Sequence, residues 1–180
     1  MELAKIQRED TKKAFEGKEI LKVWNATHVM RWHVNPKMNH TRDMISGHSQ
    51  RLVLLALKLH PQLSREAIIF GLTHDIGESE VGDFAYPLKL AQPKLADVLA
   101  TMEANAAEAL GFPFPELVEF EAKLIKLCDW LDAYLWVNLH NKPFLDDVIW
   151  KNQVAAAQAT AYDLKKLDIF NKIIEAARHD

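Results

Sequence analysis

The chain carries a single cysteine, Cys128, in 180 residues, which excludes an internal disulfide framework and suits a reducing compartment. Glycine and proline are sparse, at 6 and 7 residues, and internal repeats, low-complexity tracts and Gly/Ser linkers are missing. With 49% hydrophobic and 26% charged residues, this composition reads as one globular domain over 1–180 with enough length for a core. Apolar runs are short: none approaches a membrane span, and Met1-Glu2-Leu3-Ala4-Lys5 lacks an apolar leader, so a cytoplasmic protein without a membrane partner is expected. Charge of one sign is also lacking. A formal net charge of -3 argues against nucleic acid as a partner, while leaving room for a small anion at a local basic cluster.

Strand-like alternation is missing too, and the apolar spacing is helical nearly throughout. Helices are expected at about 10–31, 45–60, 64–79, 92–110, 115–139 and 146–178, the last of them broken. Breakers fall between them, at Asn35-Pro36, His60-Pro61, Gly82 to Pro87, Gln92-Pro93, Gly111 to Pro115 and Lys142-Pro143. The fold class is therefore all-α, a helical bundle.

The chemistry concentrates after the apolar run Ala67-Ile68-Ile69-Phe70-Gly71-Leu72, where His74 and Asp75 stand side by side. Glu78 follows on the same helical face about one turn on. Val81-Gly82-Asp83 and Pro87 then break the pattern, which places Asp83 and Lys89 on a loop folded over the helix end. An imidazole, the carboxylates of Asp75, Glu78 and Asp83, and a lysine within this short stretch point to a metal-dependent hydrolytic site.

His48 begins the apolar helix that continues through Leu52 and Leu55. Alone it reads as a hydrogen-bonded core residue. Beside His74-Asp75 it completes a mixed N/O set suited to Zn, Mn, Fe or Co. A further ligand is sought on the helix through Leu124, Cys128, Leu131 and Leu135. Asp129 lies at the edge of that stripe, and Asp132 is the second choice, expected to be a solvated acid on the helix exterior. Near the N-terminus, Arg31 offers a planar fork for phosphate and Trp32 an aromatic face; alone, the pair reads as a helix end with a core tryptophan. His33, Lys37, His40 and Arg42 surround the same loop, as an anion site or as a polar loop. His28, His60, His140 and His179 are expected to be ordinary surface or loop residues.

Together these residues resemble the HD-domain phosphohydrolase superfamily, whose metal site runs His…His-Asp…Asp; here that order is His48, His74-Asp75, Asp129. Arg31-Trp32, Glu78, Gly82-Asp83, Pro87 and Lys89 are similar to the 5′-deoxynucleotidase branch and the phage dATP triphosphohydrolases related to it. The resemblance spans roughly 28–136. It implies an HD-domain bundle in which His48, His74, Asp75 and Asp129 bind one divalent transition metal (Zn, Co or Mn). It implies that Glu78 orients or activates water, that Asp83 assists proton transfer to the leaving oxygen, and that Arg31 and Lys89 hold phosphate. Trp32, Val34 and Pro87 would shape the nucleoside pocket. No Gly-rich phosphate loop is present, which favours hydrolysis over kinase-type transfer.

The short connection from Asp75 to Asp129 resembles the compact phage form, and Lys37, His40 and Arg42 are placed to accommodate extra phosphates. The implied activity is dATP to deoxyadenosine plus triphosphate. The alternatives are a 5′-deoxynucleotidase acting on monophosphates, a non-catalytic nucleotide-binding module, and a cyclic-nucleotide or (p)ppGpp phosphodiesterase. The resemblance further implies a homo-oligomer, since relatives form dimers or rings; Trp136, Phe144, Trp150 and Phe170 read as either interface or core. Gly47 departs from the acidic residue common before this histidine in the nucleotidases, and Tyr86-Pro87 is a pocket edge that bears on base choice.

Overall fold

The computed structural model describes residues 17–179. It is all-α, as expected: among the described residues the only strand-like pairing is one antiparallel bridge between Met30 and Met44. Helix α1 covers 17–26. After a turn-rich segment come α2 (Ile45–Leu59), α3 (Arg65–Thr73), α4 (Glu78–Val81), α5 (Tyr86–Ala91), α6 (Pro93–Ala109) and α7 (Glu119–Asn141). A 3-10 turn (Lys142–Asp146) leads into α8 (Val148–Asp163) and α9 (Leu167–His179). None of these helices is long and apolar enough to cross a membrane.

Helix α7 is the spine. Leu124, Ile125, Leu127, Cys128, Leu131, Tyr134 and Val137 are buried along it, against Leu52, Val53 and Ala56 of α2 and Ala67 of α3. Trp150 of α8 and Phe170 of α9 close the other side, so these two aromatics are core. Each large apolar side chain so buried contributes about 1.5–3 kcal/mol. A smaller cluster of Ala26, Ile76 and Ala107 ties α1 and α6 to the turn after α3. The start of α3 is fixed by side chains: Ser64 Oγ accepts from Ala67 N, while Glu121 of α7 accepts from both Ser64 N and Ser64 Oγ at 2.7 Å.

Several expected boundaries are corrected. The helix expected at 64–79 stops at Thr73, and Ile76 N and Glu78 N donate to carbonyls three residues back in tightened turns. The chain here passes so close under α6 that a Cβ at Gly77 would overlap the Glu103 carbonyl. The expected 10–31 helix ends at 26, with 10–16 outside the described residues. Thr27 N and His28 N close turns on Trp24 and Asn25, and Trp32 follows at φ 64. The last segment breaks at 164–166, where Lys165 is left-handed at φ 56. Lys166 N donates to Ala161 O and Lys165 N to Tyr162 O, a Schellman ending. Lys89, expected on a loop, stands on the short helix α5, which Pro87 helps start.

Candidate metal centre and cavity

Where α2, the end of α3 and the middle of α7 meet, two imidazoles face two carboxylates. His48 is fully buried, and its Nδ1 lies 2.7 Å from Asp132 Oδ2. His74 caps α3, with Nδ1 3.0 Å from the Gly71 carbonyl. A carboxylate and a carbonyl only accept, so both Nδ1 atoms carry a hydrogen, and each Nε2 is left to take a proton or a cation. Both face acids: His48 Nε2 is 3.3 Å from Asp129 Oδ1 and 3.6 Å from Asp75 Oδ2, and His74 Nε2 is 3.2 Å from Asp75 Oδ1.

Both Nε2 atoms are buried without a hydrogen-bond partner. An unpaired buried acceptor costs about 1–3 kcal/mol, and a cation among these acids would satisfy both. His48, His74 and Asp129 offer ligand atoms within 4.8 Å of one another, a group that could hold a metal ion, and Asp75 flanks both imidazoles. Burial would raise the Asp75 carboxyl, but His74 and His48 outweigh it and hold Asp75 well below the usual carboxylate range. Asp129 is likewise held low against burial, by His48 and Lys126. Burial would lower His74, yet Asp75 and Asp129 raise it above an ordinary histidine. Cys128 is no ligand candidate: burial, with Asp129 beside it, pushes the thiol up to about 12.

Asp132 corrects the expectation of a solvated exterior acid. It is buried at 3% exposure, because one helical turn from Cys128 keeps it on the face of α7 turned toward α2. Its desolvation is offset by His48 and by Arg51, whose Nε donates at 2.6 Å. Arg51 also donates to Asp43 Oδ1 at 2.8 Å. Gly47 leaves room for this arginine, since a Cβ there would stand 3.1 Å from Arg51 Nη1.

The acids open into a cavity of about 450 Å³. Of the residues read from the sequence, Arg31, Trp32, Val34, Asp75, Glu78, Asp83, Pro87, Lys89 and Asp129 line it, whereas the two imidazoles lie behind the wall. Arg31 donates to Asp43 Oδ2 at 3.0 Å and stands 3.5 Å from Asp132. Trp32 is not a helix end. Its left-handed backbone N–H donates to Asp83 Oδ2 at 3.0 Å and its indole N–H to Asp43 Oδ2 at 3.2 Å. Lys89 pairs with Glu103 of α6 at 3.2 Å. Glu78 is buried with Oε2 unpaired, and burial, reinforced by Asp75 and Asp83, pushes its carboxyl up to about 9.

The basic loop does not join this cavity. Lys37 turns to Asp147 at 3.1 Å and covers Phe144, and the His33 ring bonds to the Met30 carbonyl. His33, His40 and Arg42 are not on the wall, which takes Lys126 instead, with Nζ 2.7 Å from Asp129. Sequence reasoning missed Lys126, although its place three residues before Asp129 on one helix was a usable signal. It also missed Asp43 and Arg51, which local spacing does not link to the site.

No protein-family model and no solved structure matches the chain. Among curated proteins, the dATP triphosphohydrolase of Cyanophage S-2L is 30% identical over 128 residues, covering 64% of this chain and 67% of that protein.

Proposed function

Because the chain belongs to one family with the cyanophage dATP triphosphohydrolase, we propose that it is a metal-dependent deoxynucleotide phosphohydrolase of the HD-domain type. Its proposed reaction is dATP plus water to deoxyadenosine plus triphosphate. The observation that carries this reading is the pair of buried, unpartnered Nε2 atoms of His48 and His74 facing Asp75 and Asp129.

His48, His74, Asp75 and Asp129 would hold one divalent cation (Zn, Co or Mn), and the N/O donor set fits it. Bound there, such an ion lowers the pKa of water and polarises a phosphoryl oxygen. Glu78 orients the attacking water and takes its proton in its ionised form, which a cation beside Asp75 would favour over the protonated carboxyl that burial, Asp75 and Asp83 hold up to about 9 without it. The water oxygen bonds to the α-phosphorus as the bond to O5′ of the sugar breaks. Asp83, fixed through the Trp32 N–H, assists transfer to O5′ of the proton that Glu78 takes from water. Arg31 and Lys89 hold the phosphate chain, and Lys126 at the wall adds a third cation. Trp32, Val34 and Pro87 shape the nucleoside pocket.

The test offers dATP, dGTP, dTTP, dAMP and AMP to purified protein with Mn, Co or Zn, alongside Asp75→Asn and Glu78→Ala. Inorganic triphosphate from dATP, lost in both variants, is the expected result. Orthophosphate from dAMP with triphosphates untouched makes the protein a 5′-deoxynucleotidase. Absence of any metal-dependent product sinks the enzyme reading.

A further inference from the structure

The cavity lining has two chemically different parts. Asp75, Glu78 and Asp129 are acidic, and α7, the 3-10 turn and α8 contribute the apolar Trp130, Phe144, Ile149 and Trp150. On α8, Ile149, Gln153, Ala156 and Thr160 fall at intervals of four, three and four residues, one face of the helix, and all of them line the cavity. Ala156 and Ala157 keep that face shallow, so a flat ring can approach the helix closely. Trp150 is held nearby by edge contacts to Phe144 and Tyr134, with centroids at 6.0 and 6.3 Å.

An apolar slot of this kind binds a heterocycle without choosing among bases; choice needs a polar group. The indole N–H of Trp32 is spent on Asp43, and that of Trp130, buried without a partner, only donates, so neither offers an acceptor for an amine. Besides these and tyrosine, three uncharged polar side chains line the cavity. Asn35 Oδ1 already accepts from Lys37 N at 2.9 Å. The Thr160 hydroxyl donates to the Ala156 carbonyl at 3.2 Å. Gln153 has no side-chain hydrogen bond within the protein among the described residues, and it presents a carbonyl acceptor beside an amide donor.

Resting on the dATP reading above, we propose that Gln153 is the residue that reads the base. Its Oε1 accepts from the adenine exocyclic amine and its Nε2 donates to N7. Guanine offers two acceptors, O6 and N7, on that edge, so one of the two contacts fails, and pyrimidines have no N7. On the N7 edge, adenine alone of the two purines satisfies both ends of the amide.

The experiment compares kcat/KM for dATP, dGTP and 7-deaza-dATP in wild type, Gln153→Leu and Gln153→Glu, with the metal present. A two-point amide contact corresponds to roughly 5- to 150-fold discrimination. Wild type is expected to prefer dATP over dGTP by a factor in that range and to lose roughly tenfold on 7-deaza-dATP, which lacks the N7 acceptor. In Gln153→Leu both ratios fall to near one. Equal use of dATP and 7-deaza-dATP by wild type, or unchanged ratios in both variants, overturns the assignment while the hydrolase reading stands. If wild type hydrolyses no deoxynucleotide, the hydrolase reading fails, and calorimetry with deoxyadenosine and 7-deazadeoxyadenosine decides Gln153 separately. A difference between the two nucleosides that Gln153→Leu removes supports it, and equal or absent binding overturns it.

Discussion

His48 Nδ1 lies 2.7 Å from Asp132 Oδ2 with both side chains buried, and this contact decides which nitrogen of the ring faces Asp75 and Asp129. Without the carboxylate, the neutral ring is free to carry its hydrogen on Nε2, where it blocks a cation. Loss of such a hydrogen-bond partner behind a ligating histidine lowers metal affinity by about 10- to 100-fold. Asp132→Asn should show that loss in equilibrium dialysis against Mn, Co or Zn. Affinity equal to wild type would mean that Asp132 serves only to neutralise Arg51.

Asp43 is the second buried acid behind the cavity, at 1% exposure. It accepts from Arg31, the Trp32 indole and Arg51. Removing one partner of a buried charged network costs about 3–5 kcal/mol. Asp43→Ala is expected to fall in that range by urea denaturation. Asp43→Asn keeps the shape and an acceptor for the indole but loosens Arg31, so KM should rise more than kcat falls, with metal affinity unchanged. A drop in kcat alone would count against a role for Arg31 in holding phosphate.

How much of this was legible in the sequence depends on distance along the chain. His74-Asp75 and Glu78 are local, and His48 and Asp129 sit on helices whose apolar stripes turn them inward, so the structure brings together what spacing suggested. The helical class was legible for the same reason. Asp132 was misread because the partners that offset its burial, His48 and Arg51, lie 84 and 81 residues away, and Asp43 was missed on similar grounds. The end of α3 escaped because Gly77 passes under α6, a tertiary contact with no periodic signature. Lys37, His40 and Arg42 look like a phosphate site as a string of residues, yet Lys37 is drawn off to Asp147 on a distant turn.

Glu78 gives the metal-free protein a distinctive pH dependence. Burial raises its carboxyl from an ordinary 4.5 to about 9, so between those values the folded state binds a proton that the unfolded state has lost. Its contribution to stability is therefore fully present below about 4.5 and is lost as pH rises through about 9. In chelator-treated protein, the Tm of wild type should decline over this window relative to Glu78→Gln, which has no proton to lose. Parallel Tm curves for the two proteins would show that Glu78 does not carry the raised carboxyl.

The clamp between Ser64 and Glu121 sets where α3 begins and so where His74 emerges at its end. Glu121→Ala leaves the Ser64 N–H without its carboxylate in a part-buried site, at a cost of about 1–3 kcal/mol. Urea denaturation measures that cost. Glu121→Gln retains one acceptor for Ser64 N and should recover roughly half of it.

The two unpartnered imidazole nitrogens also predict how a cation changes stability. An ion that binds only the folded chain stabilises it by RT ln(1 + [L]/Kd), about 2.7 kcal/mol at a hundredfold excess over Kd. Mn, Co or Zn should therefore raise the Tm of chelator-treated protein in a concentration-dependent manner. His74→Ala removes one of the two proposed nitrogen ligands while sparing the interior, because His74 sits at the end of α3 and not in the main core. That variant should fold, with its metal-free Tm near that of wild type, and should lose the metal-dependent rise. A rise that persists in His74→Ala and in Asp129→Ala places the cation elsewhere and removes the basis for assigning hydrolysis to this centre.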